Sequence, residues 1–312
     1  MATAPKLDPR ETHVRIASPH ADLQLFLRHL PPPVGTRSRG VVLYMHGGTF
    51  SSALSVAHRF DGRSWRDELC DAGFDVWGLD CHGFGYSDPY PDADPHTPLG
   101  RTADASWQLE HAVRFILAHH GVPRLSLIAH SWGTMVSGHF AGRCPALVDR
   151  MVFFGPIAQR VASEEAPKLP AWRLISLQDQ WDRFTADVPP GEAPVLSRRH
   201  FAEWGEAYLG SDPKSRDRQP PAVKTPSGAF QDIFDAWAGS LSYDPGLIGG
   251  PVAIIRGEWD GMSADADAAW LRAAMADSRD IKIPRATHLM HLEENRYALY
   301  REAEAFLKAR ED

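Results

Sequence analysis

The sequence predicts an α/β fold: a mostly parallel central sheet with helices on both faces, interrupted by an inserted helical lid. Three observations predict it. Short apolar runs recur along the chain and alternate with segments of helical period, the pattern of a sheet whose two faces are both covered. Several of these runs, such as RGVVLYMHGG and RLSLIAHS, are apolar without alternation, as a strand buried on both sides requires. The rhythm fails once, over residues 157–245, and then resumes.

In chain order, THVRIA (12–17) and LQLFLRHL (23–30) alternate and predict a half-buried hairpin. RGVVLYMHGG (39–48) is the first central strand, and SWRDELCDAG (64–73) a helix that Gly73 closes. FDVWGLD (74–80) is the next strand. DASWQLEHAVRFILAHHG (104–121) reads as a long helix with Gly121 as its stop. RLSLIAHS (124–131), GTMVSGHFAGRC (133–144) and DRMVFFGP (149–156) read as strand, short helix and strand. The stretch 157–245, rich in Pro, Trp and polar residues, reads as short amphipathic helices joined by turns, for example LPAWRLISLQDQWDRF, FAEWGEAYLG and FQDIFDAWAG. PVAIIRGEWD (251–260), ADADAAWLRAAMAD (264–277), DIKIPRATH (280–288) and NRYALYREAEAFLKAR (295–310) restore the alternation. The expected organisation is a core of 1–156 with 246–312, and a helical cap of 157–245.

A chain of 312 residues can bury one large core with a smaller lid. A net charge of -7 and scattered Lys and Arg give no reason to expect nucleic acid or an anionic membrane. The three cysteines, Cys70, Cys81 and Cys144, are far apart and lack a C-x-x-C spacing, which argues against a disulfide framework and a thiolate zinc site. The opening MATAPKLDPR has no apolar signal region, so a reducing cytoplasm is the expectation. The partner expected is a small-molecule substrate; oligomeric state is left open.

The polar residues that end the buried runs carry the chemistry. They are His46-Gly47-Gly48, Asp80, Ser131, Asp260 and His288. In a parallel sheet these ends share one rim, where ligands bind. Ser, acid and His in that chain order fit a nucleophile on a sharp strand-to-helix turn. Ser131 would attack, His288 would take its proton, and Asp260 would fix the imidazole tautomer and stabilise the imidazolium. The oxyanion would be held by the backbone N–H groups of Trp132 and Gly48, the latter because a bare backbone approaches substrate closely.

HGG (46–48), DCHGFGYSD (80–88), AHSWG (129–133), GEWD (257–260) and ATHLMHLEE (286–294) together resemble the α/β-hydrolase superfamily. The resemblance implies a hydrolase fold with Ser131 as nucleophile, Asp260 as acid and His288 as base. Members usually carry Gly where Ala129 stands, and one added methyl leaves the turn possible. HGG with a Ser-Trp-Gly elbow is similar to the proline iminopeptidase group, although Thr49-Phe50 replaces that group's Pro-Gly. That group implies acidic lid residues that hold a substrate amine. Other lidded relatives cleave esters, lactones, epoxides or carbon–carbon bonds beside a ketone; the epoxide and haloalkane branches use Asp as nucleophile, against which Ser131 argues.

Each assignment has a structural competitor. His291 lies in the turn of His288 and fits a helix start or rim position. Asp265 and Asp267 fall in the first turn of a helix, where the dipole favours acids. Asp80 fits an anchor for the HGFGYSD loop, and His46 and His82 fit loop-organising roles better than a metal site with Asp80. No nucleotide fingerprint follows the first strand, so no cofactor is expected. Trp172, Trp181, Trp204, Trp237 and Phe184, Phe201, Phe230, Phe234 suit a lid core and its seam, with a minority left to line an apolar pocket. Trp132 is expected at the edge of the site. Glu203, Glu206, Asp232 and Asp235 fit either an ammonium grip or a solvated helix face.

Overall fold

The computed structural model describes residues 4–91, 94–161 and 165–309. Its centre is an eight-stranded sheet. The strands are β1 (Thr12–Ala17), β2 (Gln24–Leu30), β3 (Gly40–Met45), β4 (Phe74–Asp80), β5 (Leu125–His130), β6 (Val148–Phe154), β9 (Val252–Gly257) and β10 (Ser278–Ile283). Their order is β1-β2-β4-β3-β5-β6-β9-β10. β1/β2 and β2/β4 pair antiparallel, and every later pair is parallel. The continuous apolar runs of β3, β5, β6 and β9 follow from this topology, because helices bury both faces.

One face carries α2 (Thr102–His120), α3 (Trp132–Arg143) and α7 (Asp265–Ala274); the other carries α1 (Trp65–Asp71) and α8 (Arg296–Lys308). The two apolar clusters alternate along each central strand. Leu43 and Met45 of β3 face the first cluster, and Val42 and Tyr44 face the second. Each strand therefore contributes to two cores, and its C-terminal end is fixed from both sides.

The segment between β6 and β9 holds α4 (Leu177–Thr185), α5 (Arg198–Gly210) and α6 (Gly228–Trp237). It also holds two strands where the sequence reads only helices. β7 (Trp172–Ser176) and β8 (Ala222–Pro226) form an antiparallel ribbon. Trp-Arg-Leu-Ile-Ser pairs with its partner across 45 intervening residues, so no local turn signal marks the ribbon. Phe184 and Trp204 are fully buried in a cluster with Phe50, Phe60, Leu289 and Leu292, which is the seam between the inserted helices and the sheet's loops. Ala229, Ile233 and Ala236 of α6 instead enter the main core beside α2 and α3. No helix among the described residues is long and apolar enough to cross a membrane.

Candidate active site

Ser131 sits between β5 and α3 with φ 53° and ψ -124°. A non-glycine residue at positive φ is strained by about 1–3 kcal/mol. The surroundings hold it there. The Ser131 N–H donates to the Phe154 carbonyl at 3.1 Å, and the Ser131 carbonyl accepts from Thr134 N–H and Oγ1 at 2.9 and 2.7 Å. A Cβ at Gly133 would lie 2.5 Å from the His46 carbonyl oxygen, so the first turn of α3 rests directly on the backbone that ends β3. Ala129 is buried in the core and pairs with Met45 and Phe153, which leaves room for its methyl.

Asp260 and His288 come together. His288 Nδ1 lies 3.1 and 3.0 Å from the two Asp260 carboxylate oxygens. Asp260 Oδ1 also accepts from the N–H groups of Met262 and Ser263, at 2.9 and 3.1 Å. These bonds fix the carboxylate's orientation, and the carboxylate in turn directs the imidazole. His288 Nε2 is buried and has no hydrogen-bond partner among the described residues. Ser131, Asp260 and His288 are 2%, 4% and 2% exposed, so the site is covered.

His130, the residue before Ser131, links the two segments. Its Nε2 donates to the His288 carbonyl at 3.0 Å, and its ring lies 5.0 Å from the His288 ring and stacks on Phe154. Burial holds the His130 pKa well below the ordinary histidine value, so the ring is neutral and can donate from one nitrogen only. On the far side, Glu293 accepts from the Thr287 N–H and hydroxyl. Burial pushes its pKa up to about 8. The His288 loop is thus pinned on both sides by buried groups that are neutral at pH 7. The sequence reading missed His130, Thr287 and Glu293; their only signal is adjacency to the strand ends.

The loops below the rim follow expectation. Asp80 Oδ1 accepts from Ser52 N–H and Oγ at 3.0 and 2.6 Å, and Oδ2 from Tyr86 N–H at 3.3 Å. It therefore ties the loops after β3 and β4 together. His46 donates from Nδ1 to Gly47 O and accepts at Nε2 from Cys81 N–H; His82 bonds Asp88 O and Ser18 Oγ. Both rings are spent on loop bonds, which leaves no nitrogen for a metal. Asp265 and Asp267 pair with Arg256 and Arg160. Gly48 and Trp132, the expected oxyanion donors, have N–H groups with no acceptor among the described residues. A Cβ at Gly48 would lie 3.0 Å from the Ala229 methyl, so α6 is the near neighbour of this glycine.

Three expectations are corrected. Trp132 is not at the site's edge: its side chain is fully buried and its Nε1 donates to Asp232 at 3.0 Å. Asp232 is neither an ammonium grip nor a solvated face. It is buried, accepts from Thr102 N–H and Oγ1 at 2.6 and 2.7 Å, and caps α2 from a distance. His291 is not a rim residue: it is fully buried, and burial lowers its pKa to about 3. A cleft of about 450 Å³ lined by Leu7, Arg28, Leu54 and Tyr86 lies elsewhere and includes none of the five expected site residues.

The family model described as the alpha/beta hydrolase fold matches residues 40–295. The chain belongs to the α/β-hydrolase family. Within this family it is similar to human lipase member M, 27% identical over 156 residues, which is 49% of this chain and 36% of that protein's length. Among solved structures it resembles a thermophilic esterase from Thermogutta terrifontis, with a TM-score of 0.61, 17% identity and coverage of 95% and 98% of the two chains. It also resembles 2-hydroxy-6-oxo-6-phenylhexa-2,4-dienoate hydrolase from a Rhodococcus species, with a TM-score of 0.63, 16% identity and coverage of 96% and 100%. At such identities the likeness to solved structures is one of fold. This α/β-hydrolase carries its inserted segment where family lids stand.

Proposed function

We propose that the protein is a serine hydrolase that cleaves a small ester, lactone or amide through an acyl-enzyme, with residues 157–245 as its cap. The observation that carries this reading is the His288–Asp260 pair, whose Nε2 is left without a partner one residue-contact away from the strained Ser131 turn. A neutral imidazole with Nδ1–H directed at a carboxylate presents a basic Nε2. It takes the Ser131 proton as the oxygen attacks the carbonyl carbon. The N–H groups of Gly48 and Trp132 receive the oxyanion, and α3's first turn adds its positive end. His288 then returns the proton to the leaving group. In the second half, it activates water, and the acyl bond to Ser131 breaks to release the acid.

The aminopeptidase alternative has less support. Glu206, Asp232 and Asp235 are paired with Arg216, Arg101 and Arg101, and Glu203 lies on an exposed face beside Arg199. None is left to hold an ammonium. Cleavage of a carbon–carbon bond beside a ketone would use the same three residues.

The test is a Ser131→Ala protein assayed on a panel of aryl esters and arylamides. Turnover should fall by about 10⁴-fold or more while the fold persists. A fluorophosphonate probe should label the wild type at Ser131. Undiminished turnover by the variant rejects Ser131 as the nucleophile; an unlabelled wild type that also turns over no substrate of the panel leaves a binding protein on this scaffold.

A further inference from the structure

The cap carries a cation without a counter-ion. Arg183 lies on α4, between Trp181 and Phe184, both buried against the seam. Its Nε is enclosed and has no hydrogen-bond partner, and the residue has no ion pair among the described residues. Arg173 of β7, also half-buried, meets no carboxylate at ion-pair distance among the described residues, and its guanidinium lies 4.2 Å from the centroid of the Phe230 ring. Arg183 approaches that same ring at 5.8 Å.

The placement relates this pair to the site. Four residues beyond Arg183, Asp187 Oδ2 accepts the N–H of Gly261 at 3.1 Å, so the end of α4 is fastened to the loop that carries Asp260. Phe230 follows Ala229, the residue packed on Gly48. The two guanidinium groups thus flank the Phe230 ring, Arg183 on a helix fastened to the Asp260 loop and Phe230 on the helix that packs on Gly48. Other arginines in the protein's interior find acids: Arg28 and Arg66 share Glu11. Arg183 itself is half-buried, with its Nε enclosed and unpartnered; enclosing part of a guanidinium without an acceptor is unfavourable, which suits the group to a partner that arrives from outside. Burial draws the Arg183 pKa down only to about 10, which leaves it charged at neutral pH.

We propose that Arg183, assisted by Arg173, binds a free carboxylate of the substrate, so that the bond attacked by Ser131 belongs to an acidic ester or amide. This rests on the serine-hydrolase reading for the reaction, although the anion site stands on its own geometry. The guanidinium fork matches a carboxylate with two parallel hydrogen bonds. The carboxylate would anchor one end of the substrate under the cap and leave the carbonyl to the rim.

The experiment compares para-nitrophenyl hemiglutarate with its methyl-capped diester, in which a neutral methyl ester replaces the carboxylate, with release of para-nitrophenol followed for both. The wild type should prefer the acid in kcat/KM. In Arg183→Gln the ratio of acid to diester should fall about 100-fold, the scale for removing one partner of a buried charged pair. Arg183→Lys should recover part of that loss, because it restores charge without the fork. The ligand-free Arg183→Gln protein should melt no lower than the wild type, since the variant removes a half-buried cation that has no acid partner among the described residues. A lowered melting temperature, or an equal fall on both esters, overturns the proposal. Fluorophosphonate labelling of Ser131 judges the hydrolase reading separately. If that fails, titration with glutarate decides: binding lost in Arg183→Gln supports the anion site, and equal binding overturns it. Inorganic phosphate binding more tightly than glutarate overturns the assignment to a carboxylate.

Discussion

Gly155 touches the imidazole of His288. A Cβ at position 155 would lie 2.9 Å from His288 Cε1 and 3.0 Å from its Nδ1, and Gly155 has φ 53°. The strand end that accepts the Ser131 N–H thus continues into a residue that leaves room for the His288 ring, the proposed base. Gly155→Ala should lose stability by about 1–2 kcal/mol from the left-handed backbone. It should also lose about 100-fold in kcat/KM, because an ångström of displacement is costly at a reacting centre. Steady-state kinetics beside a thermal melt measure both. Full turnover in a folded variant would remove the positioning role.

Asp232 joins three elements: it caps α2, holds the indole of Trp132 and receives Arg101. Asp232→Ala would leave the Thr102 hydroxyl and N–H and the Trp132 Nε1–H buried without acceptors. A destabilisation of about 3–5 kcal/mol is expected in urea unfolding. Asp232→Asn should do less damage. A loss below about 1 kcal/mol for the alanine variant would contradict the burial of this network.

Glu293 makes stability depend on pH above neutrality. Its folded-state pKa is pushed up to about 8 from 4.5, so between those values the folded chain holds a proton that the unfolded chain has lost. Stability from this group is full at low pH and is lost as pH rises through 8. His130 and His291 act in the opposite sense. Their pKa values are lowered by burial, so their contribution is present above about 6.5 and declines as pH falls below it. Going from pH 6.5 to 8.5 should therefore cost about 2 kcal/mol, and Glu293→Gln should flatten that limb. Melting curves over this range are the measurement; parallel curves for the two proteins would refute the assignment.

His291 has two buried ring nitrogens with no partner among the described residues, beside Phe50, Phe154 and His130. His291→Phe removes both unmet polar atoms and should raise stability by about 1 kcal/mol. It should also keep turnover, since Asp260 bonds His288 and not His291. By contrast, His288→Ala should lose about 10⁴-fold. A His291→Phe protein as inactive as His288→Ala would move the base.

Much of the core was legible along the chain. FDVWGLD is β4 residue for residue, and the helix stop at Gly121 stands with that glycine in the left-handed region. Such elements declare themselves because periodicity and stop residues are local. The ribbon β7/β8 did not, since its strands meet only through a long-range pairing within the insertion. Nor did the start of α2. The N-cap position, Arg101, makes no capping bond of its own, and the first N–H of the helix is met by a side chain from α6, 130 positions away.

The sequence by itself determined the alternation that builds the sheet and the polar residues that end its strands, because strand burial and turn chemistry act over a few residues. It also determined that Ser131 would stand at a tight turn. Only the tertiary structure decided that Asp260 faces His288 and not Arg256, that Trp132 and Asp232 are committed to packing, and that Arg183 meets no acid among the described residues. Those outcomes depend on which distant groups share a buried, low-dielectric space, and pairing there is settled by three-dimensional proximity rather than by spacing along the chain.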